Sequence, residues 1–230
     1  MNLKQRSYQK ELLDADDIPS DDIKKNMEEL DFINTYLNGH AITINGFKKL
    51  LGNRKQVSVC EIGCGGGDNL AAIRKWCHHR GIELEVMGVD LKEDCISIAK
   101  QQPSLHGATW LTSDYKEVVF EQQPDIIFSS LFCHHFSDGQ LIEQLQWLKA
   151  NCKIGFFIND LQRHWLAYHS IKYLTKLFSS SYLVKNDAPL SVAKGFVRDE
   201  WDKIFQSANI DHYTVQWKWA FRYLITYQHD

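Results

Sequence analysis

The stretch Val57-Ser-Val-Cys-Glu-Ile-Gly-Cys-Gly-Gly-Gly-Asp-Asn-Leu70 limits what this chain can fold into more than any other segment. Val57 to Ile62 reads as a buried strand, Gly63, Gly65, Gly66 and Gly67 as a turn, and Asp68 as the start of a helix. A strand that enters a helix through glycines brings bare backbone and helix N–H groups to the strand's carboxyl end. That end is where open parallel sheets bind their ligands. Glycine is needed there because the turn requires positive φ and close approach of a guest.

The acidic residues around the turn narrow the guest. A dinucleotide fingerprint G-x-G-x-x-G requires Gly or Ala at position 68, where this chain has Asp68. Carboxylates at Glu61 and Asp68 make poor company for a pyrophosphate and good company for an ammonium and a sulfonium. Leu84 to Asp90 reads as a second buried strand. Asp90 falls 23 positions after Gly67, placed to accept hydrogen bonds from a ribose diol. Asp114 closes a third short strand, Thr109 to Thr112.

The pattern acidic-x-G-x-G-x-G from Glu61 to Gly67, followed in order by Asp90 and Asp114, resembles motif I and its successors in the class I S-adenosylmethionine (SAM) methyltransferases. The resemblance covers about residues 50 to 230. It implies SAM as cofactor, S-adenosylhomocysteine (SAH) as product, and cofactor contacts at Glu61, Gly63, Gly65, Gly67, Asp90, Leu91, Asp114, Tyr115 and Leu131. At Asp114 the family's carboxylate lies at the adenine amine.

The remaining elements suit that family. Asp125 to Ser130 reads as a fourth strand, Asp138 to Ala150 as a helix with Leu141, Ile142, Leu145 and Leu148 at helical spacing, and Ile154 to Ile158 as a fifth strand. A helix near 198–208 precedes two alternating runs, Tyr213–Trp217 and Tyr223–Tyr227, which predict an antiparallel hairpin. Strands alternating with helices imply an α/β, doubly wound, mostly parallel sheet, seven-stranded by the resemblance, with helical cap elements. We expect residues 1–50 to form an N-terminal helical cap and 51–230 the SAM-binding domain, with a helical insertion at about 160–197. Within the cap, Met27, Leu30, Ile33 and Leu37 share a helix face, Asn38-Gly39-His40 breaks that helix, and Thr43–Leu51 forms another. The insertion is expected to hold a helix from about Trp165 to Phe178, leading into a loop at Asn186-Asp187-Ala188-Pro189.

Composition removes several classes. A net charge of −3 and a pI near 6.4 provide no electrostatic footprint for a nucleic-acid backbone. No run approaches a membrane span and the first residues lack the apolar core of a signal peptide, so we expect a cytoplasmic protein without membrane insertion. The 6 cysteines are scattered without a C-x-x-C pair, predicting reduced thiols and no zinc.

Chemistry is expected just after the fourth strand, at Ser129-Ser-Leu-Phe-Cys-His-His-Phe-Ser-Asp138. The stretch resembles the L-H-H-F/L segment of small-molecule methyltransferases related to the quinone-biosynthesis enzymes. The Asn/Asp-Pro-Pro-Tyr/Phe signature of amine-directed relatives is absent, and Asn159-Asp160, following the fifth strand, does not replace it. A neutral imidazole suits a hydroxyl or an acidic carbon, with His135 the first choice as proton acceptor and His134 the second. The insertion (159–168 and 182–192) is similar to bacterial methyltransferases of polyketide-type clusters, whose acceptors carry aromatic or polyketide hydroxyls. Arg163, His164, Tyr168 and His169 are its polar candidates for an acceptor pocket. The expected reaction is metal-free methyl transfer to oxygen of a small acceptor. C-methylation of a quinone-type substrate and a non-catalytic SAM-binding module are the alternatives.

Overall fold

The computed structural model describes residues 2–15 and 17–229. The apolar runs pair as a seven-stranded sheet of order β3-β2-β1-β4-β5-β7-β6, built from β1 (Gln56–Ile62), β2 (Glu83–Asp90), β3 (Thr109–Thr112), β4 (Ile126–Ser130), β5 (Gly155–Leu161), β6 (Tyr213–Lys218) and β7 (Arg222–Gln228). β1 to β5 run parallel, while β7 lies antiparallel to both β5 and β6. The strand order reverses between β1 and β4, which opens a crevice at their carboxyl ends.

Helices cover both faces: α1 (Ser20–Tyr36), α2 (Gly39–Leu51), α3 (Asp68–His78), α4 (Glu93–Lys100), α5 (Asp138–Asn151), α6 (Trp165–Phe178), α7 (Tyr182–Lys194) and α8 (Arg198–Ser207). One core layer joins Ile127, Phe156 and Ile225 of the sheet to Leu145 of α5 and Trp201 and Phe205 of α8. The other joins Val59, Phe128 and Phe157 to Phe47 and Leu50 of α2 and Leu70 and Ile73 of α3. Phe128 and Phe157 stack with ring centroids 4.6 Å apart. α5 begins where Ser137 and Gln140 cap each other, the Ser137 N–H donating to Gln140 Oε1 at 2.9 Å. No helix among the described residues is long and apolar enough to cross a membrane. All the cysteines are free and buried.

Three expectations change. The break between the cap helices falls at Leu37–Asn38, so Gly39 and His40 open α2. Asn38 makes this possible by taking φ +65°, a left-handed conformation that asparagine tolerates. Residues 186–189 are no loop: they lie inside α7, with Pro189 enclosed in the helix. Proline removes one helical hydrogen bond. Burial of Leu183, Val184, Leu190, Val192 and Ala193, with the Ser181 cap, outweighs it. Finally, β5 continues through Asn159 and Asp160 to Leu161. β7 supplies the ladder there (Asn159 opposite Leu224, Asp160 opposite Tyr223), and both polar side chains find buried partners.

Candidate active site

A cavity of about 760 Å³ opens at the carboxyl ends of the parallel strands. Its floor on one side is the glycine turn. Gly63, Gly65 and Gly67 all have positive φ (+66°, +50° and +80°). A Cβ on Gly63 would lie 2.2 Å from Phe132 Cδ2, so glycine here admits that ring. Gly63 and Gly65 line the cavity, whereas Gly67 sits beneath it, packed against Trp110 and Leu105.

Asp90 is oriented by backbone. Its two carboxylate oxygens accept the N–H groups of Gly65 and Lys92, each at 2.9 Å. A carboxylate accepts about four hydrogen bonds, which leaves capacity for a diol. Asp114 lines the cavity and accepts the Lys116 N–H at 3.0 Å. Leu91 is exposed at the rim. Tyr115 is buried with its ring edge-on to Phe132, Phe136 and Trp147. Leu131 holds φ +54°, and its N–H donates to the Asn159 carbonyl at 2.9 Å. Thus all the sequence-predicted cofactor residues except Gly67 meet in one cleft.

Glu61 tests whether that cleft suits SAM. It is buried; Oε1 accepts from Asn69 Nδ2 at 3.2 Å, and Oε2 has no partner among the described residues. Burial, with the charges of Asp68 and Asp90 close by, pushes its pKa well above the ordinary carboxylate range. An orphaned, destabilised carboxylate calls for a cation. The ammonium of SAM's amino-acid end fits that need.

The opposite side is assembled from distant segments. His134 and His135 form a short 3₁₀ turn (Cys133–His135) after β4, with His135 partly exposed and both lining the cavity. His134 Nδ1 lies 2.8 Å from Asp160 Oδ1 and its Nε2 3.5 Å from Glu11 Oε1. Burial alone would lower the His134 pKa, but the two carboxylates outweigh it and raise it to about 9. At neutral pH His134 is therefore an imidazolium with no lone pair to offer. His135 Nδ1 lies 3.3 Å from both Asp14 Oδ1 and Lys194 Nζ, and Nε2 is 3.8 Å from Glu11 Oε2.

Glu11, Asp14 and Lys194 carry no local signal, and sequence reasoning did not find them. They arrive by way of an N-terminal strap. Arg6 anchors it, its guanidinium 4.1 Å from the Phe196 ring centre and donating to Asp138 Oδ1, the Phe136 carbonyl and the Lys194 carbonyl. The Asp187 carboxylate accepts the N–H groups of Leu12 and Leu13 at 2.8 and 2.9 Å. Glu11 is held by Lys194 Nζ (3.0 Å) and Ser191 Oγ (2.8 Å). Burial opposes its charge, but His134, His135 and Lys194 hold its pKa well below the ordinary range. Glu11, His134 and His135 present ligand atoms within 4.8 Å of one another, a spacing a metal would accept, yet the Lys194 ammonium already donates into this group.

The insertion faces the cavity differently from expectation. α6 presents Ala167, Ser170, Ile171 and Leu174, joined by Val184, Ala188 and Val192 of α7. Arg163 points away, forked onto Glu200 (3.0 and 2.7 Å) and bonded to the Gly195 and Leu3 carbonyls. His164 caps α6 through the Leu166 N–H, Tyr168 packs with Val192 and Ala193, and His169 is exposed. A helix shows one face to a cavity, and the apolar stripe won it. Leu13, Met27, Leu30, Phe132, Phe136 and Phe221 complete a chamber that is mostly apolar.

Known proteins share this fold. Residues 59–155 match the family model described as a methyltransferase domain. No curated protein matches the chain. Among solved structures, the plantazolicin methyltransferase BpumL in complex with SAH is similar, with a TM-score of 0.62 and 20% identity over 85% of this chain and 72% of its own. Magnesium protoporphyrin IX methyltransferase from Synechocystis PCC 6803, with bound SAH, gives 0.56 and 15% over 86% and 87%. Human N-acetylserotonin methyltransferase in complex with SAM gives 0.64 and 15% over 90% of this chain and 56% of its own. At such identities the likeness establishes the fold. Together with the methyltransferase-domain match over residues 59–155 and the cleft, it supports an enzyme dependent on S-adenosylmethionine.

Proposed function

We propose that the enzyme transfers a methyl group to a hydroxyl oxygen of a small, largely apolar acceptor of aromatic or polyketide type. The observation that carries this reading is His135: an imidazole beside an apolar chamber, at the strand end that faces the cofactor half of the cleft. Glu61, Gly63, Gly65, Asp90, Leu91, Asp114, Tyr115 and Leu131 hold the cofactor in this reading, and Gly67 supports the turn from below. Bound SAM supplies a methyl group on a sulfonium, already activated for departure. Methyl transfer to the acceptor oxygen would form a C–O bond as the C–S bond breaks and would release SAH, with the acceptor's proton passing to His135. The strap, α6 and α7 exclude water and align the two reactants, which supplies much of the acceleration. His134, fixed as a cation between Asp160 and Glu11, positions the turn that carries His135.

The acceptor is taken to be a free cytosolic metabolite, because the acidic chain offers no basic groove for nucleic acid. No metal takes part in this reading, so EDTA leaves the rate unchanged. A library of phenolic and polyketide-like hydroxyl compounds, assayed for SAH release, identifies the acceptor. With that acceptor, His135→Ala lowers turnover about a hundred- to ten-thousandfold, while SAH affinity stays within about threefold. The deficit shrinks as pH rises towards the phenol pKa near 10. A loss below about fivefold, with a flat pH dependence, would remove His135 from the chemistry.

A further inference from the structure

The amino-acid end of the cofactor carries a carboxylate as well as an ammonium, and the cleft holds a second orphaned group. Arg222, the first residue of β7, is buried and lines the cavity. Its Nη2 donates to Asn34 Oδ1 at 2.9 Å, but Nη1 has no partner among the described residues. Buried polar groups are rarely left so. Its position is made possible by Gly39, where a Cβ would lie 2.9 Å from that same Nη1.

The surroundings connect this guanidinium to Glu61. Asp68 and Asn69 are neighbours in the first turn of α3. Asn69 donates to Glu61 Oε1, while Asp68 Oδ2 accepts Asn34 Nδ2 at 3.0 Å and lies 2.8 Å from His40 Nε2. Asn34 then accepts from Arg222. The chain of contacts begins at an acceptor without a donor and ends at a donor without an acceptor. The cavity lining is rich in carboxylates, and its only Lys or Arg side chains among the described residues are Lys92 and Arg222. The Lys92 ammonium is exposed and donates to the Ala15 carbonyl at 2.7 Å. A planar guanidinium also matches a carboxylate better than an ammonium does.

We infer that Arg222 is the carboxylate anchor for the amino-acid end of SAM, working with Glu61 Oε2 as the acceptor for its ammonium. The inference rests on the cofactor and not on the acceptor chemistry. A consequence is that cofactor binding grips the strand that leads directly out of Trp219-Ala220-Phe221, part of the acceptor wall.

The competing role for Arg222 is purely structural: neutralising Asp68 and Asp160 inside the protein. Ligand truncation separates the two. SAH and its decarboxylated analogue, which lacks only the carboxylate, are titrated by calorimetry into the wild type and into Arg222→Gln. A charge-assisted pair of bonds predicts that the wild type prefers SAH by roughly 10- to 100-fold. In Arg222→Gln that preference collapses to within about threefold, with the analogue's affinity nearly unchanged. A wild-type preference below about threefold overturns the assignment without any variant. An equal loss for both ligands in a folded Arg222→Gln also overturns it, in favour of the structural role. Neither result touches His135, which is read with the acceptor assay.

Discussion

On the β1–β3 side of the cleft the lining is placed by consecutive strand ends and the glycine turn, and on the β4–α7 side by side chains drawn from remote segments. Between Glu61 and Asp114 the cofactor side is laid down by consecutive strand ends, and Asp90 is aimed by the N–H groups of Gly65 and Lys92. The side we propose for the acceptor brings Glu11, His134, His135, Asp160 and Lys194 together through mutual ion pairs. The first side should therefore be stiff and tolerant of distant change. The second is a linked array whose members fail together.

The largest effect should come from breaking the stiff side. Gly63→Val places a β-branched residue at φ +66° and a methyl group in the Phe132 ring. SAH binding is lost in calorimetry, and the melting temperature falls with a destabilisation of several kcal/mol. Retained micromolar binding would show that the turn yields and the contrast is false. Next comes the titration of the linked array. The folded His134 pKa of about 9 lies above the unfolded value of 6.5. Its stabilisation is complete below about pH 6.5 and is lost as pH rises through 9. Urea unfolding should show that decline in the wild type and a flatter profile between pH 6.5 and 9 in His134→Gln. Parallel profiles would mean the cluster is not coupled. The smallest effect sharpens the comparison: Asp90→Ala removes charge-assisted bonds to the ribose and weakens SAH about ten- to a hundredfold. Turnover at saturating cofactor should barely change. A matching fall in turnover would show that the two sides are not separable.

What sequence reading recovered follows the same division. The strands, the glycine turn, Asp90 and Asp114 are legible because periodicity and short-range spacing encode them. Even the span of α6, Trp165–Phe178, was readable from its amphipathic pattern. Glu11 was not, because nothing within an acidic N-terminal stretch distinguishes the one carboxylate that a strap buries against Lys194. Arg163 misled for the converse reason: its residue type suggests a pocket, but Glu200, 37 positions away, claims it. Pro189 signalled a loop where burial of the surrounding apolar residues enforces a helix.

Glu29 of α1 reaches across to the α6–α7 connection. There its carboxylate accepts the N–H groups of Ser180 and Ser181 (2.9 and 3.0 Å) and the hydroxyls of Ser179 and Ser180. α1 lines the cavity through Met27, Leu30 and Asn34, and α6 and α7 line it through Ile171, Leu174 and Val184. The helix over the glycine turn and the helices around the acceptor chamber are thereby fastened as one lid. A lid fastened this way should move as one piece, so cofactor and acceptor would share an entrance, and ordered kinetics with cofactor first and SAH last would follow.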